Sequence, residues 1–297
     1  MKKKLQQLFS TKKENNNKMS TSPYDELENS GKVKITDKKF SKKEINDKCF
    51  QNTLFERLVA KGVHFKGVDF SYSTFDVAYL RKCSFDDCKF IGCRFVNCNL
   101  SGSSFSSCDF RYSIFEKTNI DNDIFARNCP SELNLLLAFA RTLRLNYQHI
   151  GDTESANKAI NIELDATEQH LKNSWKSKDK YYRTKYTGLS RVKMFFKWLN
   201  FRLLDFIWGN GESILKLIRT VVIFITLAGF YHSSVYTTEP NSCINNYFNS
   251  LLTIPKLLFG ITSDVKYSDT YLTILSIFRF IMFGLFMSVL IKRLGRR

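Results

Sequence analysis

Five cysteines sit at intervals that invite a metal-site reading. Cys83, Cys88, Cys93 and Cys98 fall five residues apart, and Cys108 follows ten later. Thiolates ligate metals, but a zinc site calls for C-x2-C or H-x3-H spacings and tetrahedral convergence. No histidine shares the register, and His64 stands one residue before Phe65, where it is expected to point outward. Phenylalanine is more regular than cysteine. From Phe50 to Phe125 the multiples of five are Phe throughout, except for Leu80, Leu100 and Ile120 in the same phase and Ala60, which breaks the row. Two positions before each lies a second register, mostly of small residues, that includes Thr53, Ser73, Ser103, Ser113, Thr118 and every cysteine of the cluster. A period of five fits neither helix nor strand, so it comes from a repeating supersecondary unit, a solenoid. The thiols are then small buried hydrophobes with a weak donor, stacked in a line along one wall. No metal and no cofactor is expected, and free buried thiols fit a reducing compartment.

This pattern, a large apolar residue with a small one two positions earlier, resembles the pentapeptide-repeat family. The resemblance implies a right-handed quadrilateral β-helix of four pentapeptides per coil, so the repeats from about Thr53 to Phe125 fill nearly four coils.

Four segments follow. Residues 1–48, rich in Lys, Asn, Ser and Glu, read as a basic, disordered lead-in; MKKK runs into polar LQQLFSTKKENNNK, without the apolar core of a signal peptide. Residues 49–128 are the repeat. Residues 129–211 read as an α-helical connector and a basic juxtamembrane segment, with Ser131 as N-cap of a first helix and Gly151-Asp152 ending it and capping a second. Residues 212–297 hold two apolar stretches, one from Ser213 and one from Tyr271 to Ile291, each long enough to cross a membrane. Basic flanks and a weakly charged connecting loop put both termini in the cytoplasm. The alternative is a pair of core helices in a soluble protein.

The formal charge of +17 centres on the connector. From Lys172 to Arg219 twelve Lys and Arg face three acids, a net of nine positive charges. One reading is attraction to an anionic lipid surface, about 1 kcal/mol per basic residue. Lys193, Lys197 and Asn200 share a helical stripe, but Arg191, Arg202 and Asp205 do not, so the apolar run is not expected to form a clean interfacial helix. A second reading is a phosphate-binding pocket. In it Lys176, Lys178, Lys180, Arg183 and Lys185 would hold a nucleotide or short single-stranded oligonucleotide, with Tyr181 or Tyr182 stacking on a base. Duplex DNA binding is the third.

The order of parts is itself a resemblance. Repeats, a helical pair carrying Tyr147, Gly151-Asp152, Ala156 and Glu163, then Gly209-Asn210-Gly211-Glu212 and two spans look like bacterial pentapeptide-repeat proteins with a C-terminal, potassium-channel-like pore domain. That implies the bacterial inner membrane, a homotetramer around one pore, and a re-entrant loop with a pore helix and filter within CINNYFNSLLTIPKLLFGITSDV. The pore candidates are Thr253, Gly260, Thr262, Asp264 and Arg279. The segment departs from T-x-G-[YF]-G-D: it has a single glycine, with Pro255 inside the pore helix, so potassium selectivity is not carried over. Arg279 lies about 12 Å into its span, at a cost near 2.5–3.5 kcal/mol. Water, pore-loop carbonyls or an anion must compensate it, unless it snorkels to the interface; a ring of arginines would disfavour cations. Cys243 stands alone on the outer side.

Two functions remain open. One is an ion-channel-like effector controlled by an anionic ligand, similar in type to effectors of anti-phage nucleotide signalling. The other is a non-conducting, membrane-anchored docking scaffold. A DNA-mimicking role needs an acidic surface, which this basic chain lacks. No enzyme is expected, for want of a phosphate-binding glycine loop, a nucleophile motif or a paired histidine and carboxylate.

Overall fold

The computed structural model describes residues 32–40, 42–236, 243–261 and 267–295. Eleven short strands open the chain: β1 (Val33–Thr36), β2 (Glu44–Asn46), β3 (Thr53–Glu56), β4 (Val59–Lys61), β5 (His64–Lys66), β6 (Thr74–Asp76), β7 (Tyr79–Arg81), β8 (Ser84–Asp86), β9 (Arg94–Val96), β10 (Ser104–Ser106) and β11 (Ile114–Glu116). All pairings are parallel, and each residue faces the one twenty positions on, as in Phe55↔Phe75 and Phe65↔Phe85. One wall runs β1-β3-β6-β9-β11, another β2-β5-β8-β10, a third pairs β4 with β7. The fourth is held by single bridges such as Asp69↔Lys89 and Lys89↔Asp109. A five-residue repeat turned four times per coil returns every side chain above its counterpart, so rings stack: Phe70, Phe90 and Phe110 lie 5.3 and 4.9 Å apart, nearly parallel.

The solenoid starts earlier than the lead-in boundary at 48. β1 pairs with β3 and β2 with β5, and Ile35, Phe40 and Ile45 continue the five-residue phase into the core. Dense lysines on the outward positions hide that phase, because composition averages both faces.

The cysteines also differ from a one-wall ladder. Twenty residues make a coil, so Cys83, Cys88, Cys93 and Cys98 occupy four different walls, and only Cys88 and Cys108 stack. Most of the small polar side chains donate to the carbonyl of the large residue one coil back, whereas Ser113 donates to Phe110 three residues earlier. Ser73 reaches Phe50 at 2.7 Å, Ser103 reaches Leu80 at 2.6 Å, and the Cys93 and Cys98 thiols reach Phe70 and Phe75 at 2.9 and 3.3 Å. The thiol serves as a hydroxyl here, and burial pushes Cys93 and Cys98 up to about 12. Among the described residues no group of three His, Cys, Asp or Glu is placed to hold a metal ion.

Helices close the open end. α1 (Ile124–Arg127), α2 (Leu133–Ile150) and α3 (Thr153–Lys176) follow the last strand. Asn146 of α2 takes the place of a further coil: its Oδ1 accepts from the Thr118 N–H at 2.8 Å and its Nδ2 donates to the Thr118 carbonyl at 2.7 Å. Asn128 does the same for Cys108 and Phe105, and Phe139 continues the stack over Phe110. Ser131 is not the N-cap: Glu132 holds that position with no side-chain cap, and the Ser131 hydroxyl donates to the Glu132 carboxylate. Gly151 ends α2 at φ 78°, and Asp152 caps α3 by accepting from Ser155 N.

Beyond α3 come α4 (Lys180–Lys185), α5 (Leu189–Trp208), a 3₁₀ turn at Gly209–Gly211, α6 (Ile214–Val235), α7 (Cys243–Leu258) and α8 (Asp269–Leu294). α6 and α8 are long and apolar enough to cross a membrane, and only 11% and 17% of their most apolar windows are buried.

Candidate functional site

Two groups of expected site residues lie in different places. Lys176, Lys178, Lys180, Arg183 and Lys185 are all exposed, running from the last turn of α3 through α4. Lys185 Nζ donates to the Tyr181 hydroxyl at 2.9 Å and lies 5.2 Å from that ring's centre. Tyr182 turns away toward His170, 5.8 Å between rings. Burial and the Lys185 charge hold the His170 imidazole below its usual range. Within one chain these cations form an exposed rim rather than a closed pocket.

The second group surrounds α7, which packs against α6 and α8. Ile254, fully buried, meets Ala228 of α6 with Tyr271 and Leu275 of α8. Leu258 and Phe259 line an apolar cleft of about 450 Å³ with Val221, Ile225, Arg279 and Met282. The C-terminal end of α7 thus lies beside the middles of both long helices. Pro255 is accommodated inside α7. Gly260 ends it in the left-handed region at φ 78°, its N–H bonded to Leu257 O, while Ile261 N reaches Lys256 O; this is the helix-stop geometry that glycine favours. Arg279 Nη1 donates to the Leu258 carbonyl at 3.3 Å, and its guanidinium lies 4.9 Å from the Phe280 ring centre. A backbone carbonyl at the C-terminal end of α7 is therefore one partner of this arginine.

α7 carries three faces. Asn246, Ser250 and Ile254 are buried; Ile244, Phe248 and Leu252 are exposed. Between these faces runs a polar stripe, Asn245, Asn249, Thr253 and Lys256, of which only Thr253 is half-buried. Thr253 Oγ1 donates to Asn249 O at 2.9 Å. The spacing of this stripe was readable in the sequence, but its exposure was not. Thr262 and Asp264 lie outside the described residues.

At the buried face the Ser250 hydroxyl donates to Asn246 O at 2.8 Å. The His232 Nδ1, 2.9 Å from Ser250 Oγ, is therefore the donor to that hydroxyl oxygen, leaving Nε2 facing the Tyr267 hydroxyl at 3.3 Å. Tyr231, Tyr236, Tyr267 and Tyr271 pack around this histidine in mutual ring contact, a cluster that sequence reasoning missed.

At the opposite ends of α6 and α8 the connector meets the long helices. Lys292 pairs with Glu212, while Arg144 and Arg141 pair with Glu163 at 2.8 and 3.1 Å. A cavity of about 250 Å³ lies between them, lined also by Gln148 and Asn210. Tyr147, Gly151, Asp152 and Ala156 line an adjacent recess with Gly295. Residues scattered over 147–212 thus gather at one joint.

Residues 59–135 match a family model described as a pentapeptide repeat region. Among solved structures, a trypsin-treated form of QnrB1, a plasmid-mediated fluoroquinolone resistance protein, is similar at 15% identity over 31% of this chain and 64% of that one, with a TM-score of 0.18. The chain therefore spans just under two thirds of that protein's length. No curated protein matches it.

Proposed function

We propose that this chain, a pentapeptide-repeat scaffold joined to two helices able to cross a membrane, is an ion-channel-like membrane effector. α6 and α8 cross the bilayer, α7 re-enters it to mid-depth, and copies of the chain, four in the proteins it resembles, assemble so that the polar stripe of α7 borders water. The observation that carries this reading is the polar stripe Asn249, Thr253 and Lys256, exposed at Asn249 and Lys256, on a helix that reaches the middle of α6. Polar groups at that depth facing lipid are costly, whereas a water-filled path or a neighbouring copy satisfies them. Lys256 and Arg279 at the inner end of the stripe favour anions or a closed state.

The cations from Lys176 to Lys185, with Asp179 as the one acid among them, supply the anionic-ligand site when two or more copies bring their rims together. A nucleotide or short single-stranded oligonucleotide suits that charge, and a role in phage defence follows from the system type it resembles. The test is ion flux through liposomes holding the full chain, with native mass spectrometry of the same sample for subunit number and bound nucleotide. Chloride flux from an oligomer, lost in Asn249→Leu, supports the proposal. A non-conducting monomer or dimer leaves the docking scaffold as the function.

A further inference from the structure

α5 stands between the connector and the first long helix, and its faces are sharply divided. The inner face packs on α3: Met194 is buried, and the Trp198 and Phe195 rings lie 5.3 and 5.1 Å from Trp175. Arg191 donates to the Trp175 carbonyl and Arg202 to Glu168 at 3.1 Å. The opposite face is apolar and exposed, with the Arg219 guanidinium of α6 over the Phe206 ring at its C-terminal end, 4.4 Å from the ring centre. Leu189, Val192, Phe196, Leu199, Leu203 and Phe206 recur at intervals of three and four, between 36% and 87% exposed, which makes one continuous stripe.

Cations border that stripe on both sides. At 100° per residue Lys193 and Lys197 lie roughly 100° to one side of it and Arg191 and Arg202 a similar angle to the other. Lys193 and Lys197 are exposed. The charges that do not share one helical stripe in the sequence fall on two flanks of the apolar face, because the tryptophan-bearing face points inward.

We infer that α5 lies in the headgroup layer of an anionic bilayer, with its apolar stripe in the acyl boundary and Lys193 and Lys197 on lipid phosphates, while Arg191 and Arg202 hold the other flank to α3. Chain continuity selects this occupant over a protein partner. Only residues 209–213, the turn Gly209–Gly211 with Glu212 and the Ser213 cap, separate α5 from α6, and α5's last turn is fastened to α6 by Asp205 with Lys216 at 2.7 Å and by Thr220 Oγ1 donating to the Ile207 carbonyl at 2.9 Å. A helix so tied to the start of a membrane span sits at the membrane surface, and a two-sided cationic border around an apolar stripe complements headgroups above acyl chains. The inference rests on α6 crossing the bilayer and not on conduction.

The experiment places the photocrosslinker p-benzoylphenylalanine singly at Phe196, Leu203, Ile218 and Tyr112 in the full chain. Each variant goes into nanodiscs of phosphatidylcholine alone or with phosphatidylglycerol, and lipid adducts are read by mass spectrometry after irradiation. Ile218 is an outward residue of α6 and Tyr112 an exposed solenoid residue. The expected result is lipid adduct at Phe196, Leu203 and Ile218 but not Tyr112. The adduct at Phe196 should rise severalfold with phosphatidylglycerol and return to the neutral-lipid level when Lys193→Gln and Lys197→Gln are added. Adduct at Ile218 alone overturns the inference and leaves the span reading intact. Adduct at neither overturns both, and crosslinks from Phe196 to a second copy of the chain make the stripe a protein interface instead.

Discussion

The guanidinium of Arg279 donates to the carbonyl of Leu258, 3.3 Å away on the neighbouring helix. Leu258 is the last residue of α7, where carbonyls without helical partners concentrate the negative end of the helix dipole. A cation that would otherwise be expensive in a long apolar helix therefore meets a fixed partial charge rather than a carboxylate. The same approach brings Arg279 Nη1 to 3.1 Å from where a Cβ on Gly260 would stand.

Gly260→Ala should destabilise the packing of α6, α7 and α8 for two separable reasons. The left-handed backbone costs a non-glycine residue about 1–2 kcal/mol, and the new methyl presses on the guanidinium. Thermal unfolding in detergent should show a lowered midpoint. Adding Arg279→Met to Gly260→Ala should recover the steric part only. A midpoint unchanged in Gly260→Ala would mean that Gly260 does not end α7 as described.

Asn146→Leu removes the side chain that completes the last coil. The Thr118 N–H and carbonyl it serves are both buried, so each is left unpaired at about 1–3 kcal/mol. Chemical denaturation should show the solenoid weakened by at least the lower figure. Leucine preserves the apolar bulk, so a small loss would refute the capping role.

Val77 sits at a left-handed turn position that many repeats fill with Asp, Asn or Gly and others with Arg, Tyr, Lys or Ser, and its φ is 52° although it alone of these is β-branched. That conformation disfavours it. Val77→Asn should stabilise the solenoid by about 1 kcal/mol, because the side chain is exposed and its loss removes no core contact. A rise in denaturation midpoint is the expected outcome.

The thiols give a pH signature. Cys93 and Cys98 have folded values pushed up to about 12 by burial, above the ordinary thiol value of 9.0. Stability from these groups is therefore fully present below pH 9 and is lost as pH rises from 9 toward 12, at about 1.4 kcal/mol per unit for each thiol. Stability measured between pH 8 and 10.5 should fall, and Cys93→Ser with Cys98→Ser should flatten the slope. In the native protein a thiol reagent should label Cys49 and Cys129, which are exposed, well before the five buried cysteines of the solenoid. Labelling of Cys93 at the rate of Cys49 would mean an open core.

How much was legible in advance follows from what each feature depends on. The five-residue period, the small register, the two apolar stretches and the Gly151-Asp152 corner each repeat or contrast within a short run of residues. A single strand of text therefore carries them. The lead-in was drawn too long because the lysines at 38, 39, 42 and 43 outweighed Ile35, Phe40 and Ile45 in a composition reading. The thiol ladder was misplaced because twenty residues, not five, separate neighbours on one wall.

By itself the sequence determined the solenoid and the presence of long apolar helices, since translation by one coil and burial of a continuous apolar run are nearly local rules. Only tertiary structure decided what each end and face meets. Asn146 completes Thr118 from 28 residues away, Lys292 meets Glu212 from 80 residues away, and Trp175 of α3 settles which side of α5 turns inward. Those choices depend on segments brought together by packing, and no local pattern records the partner.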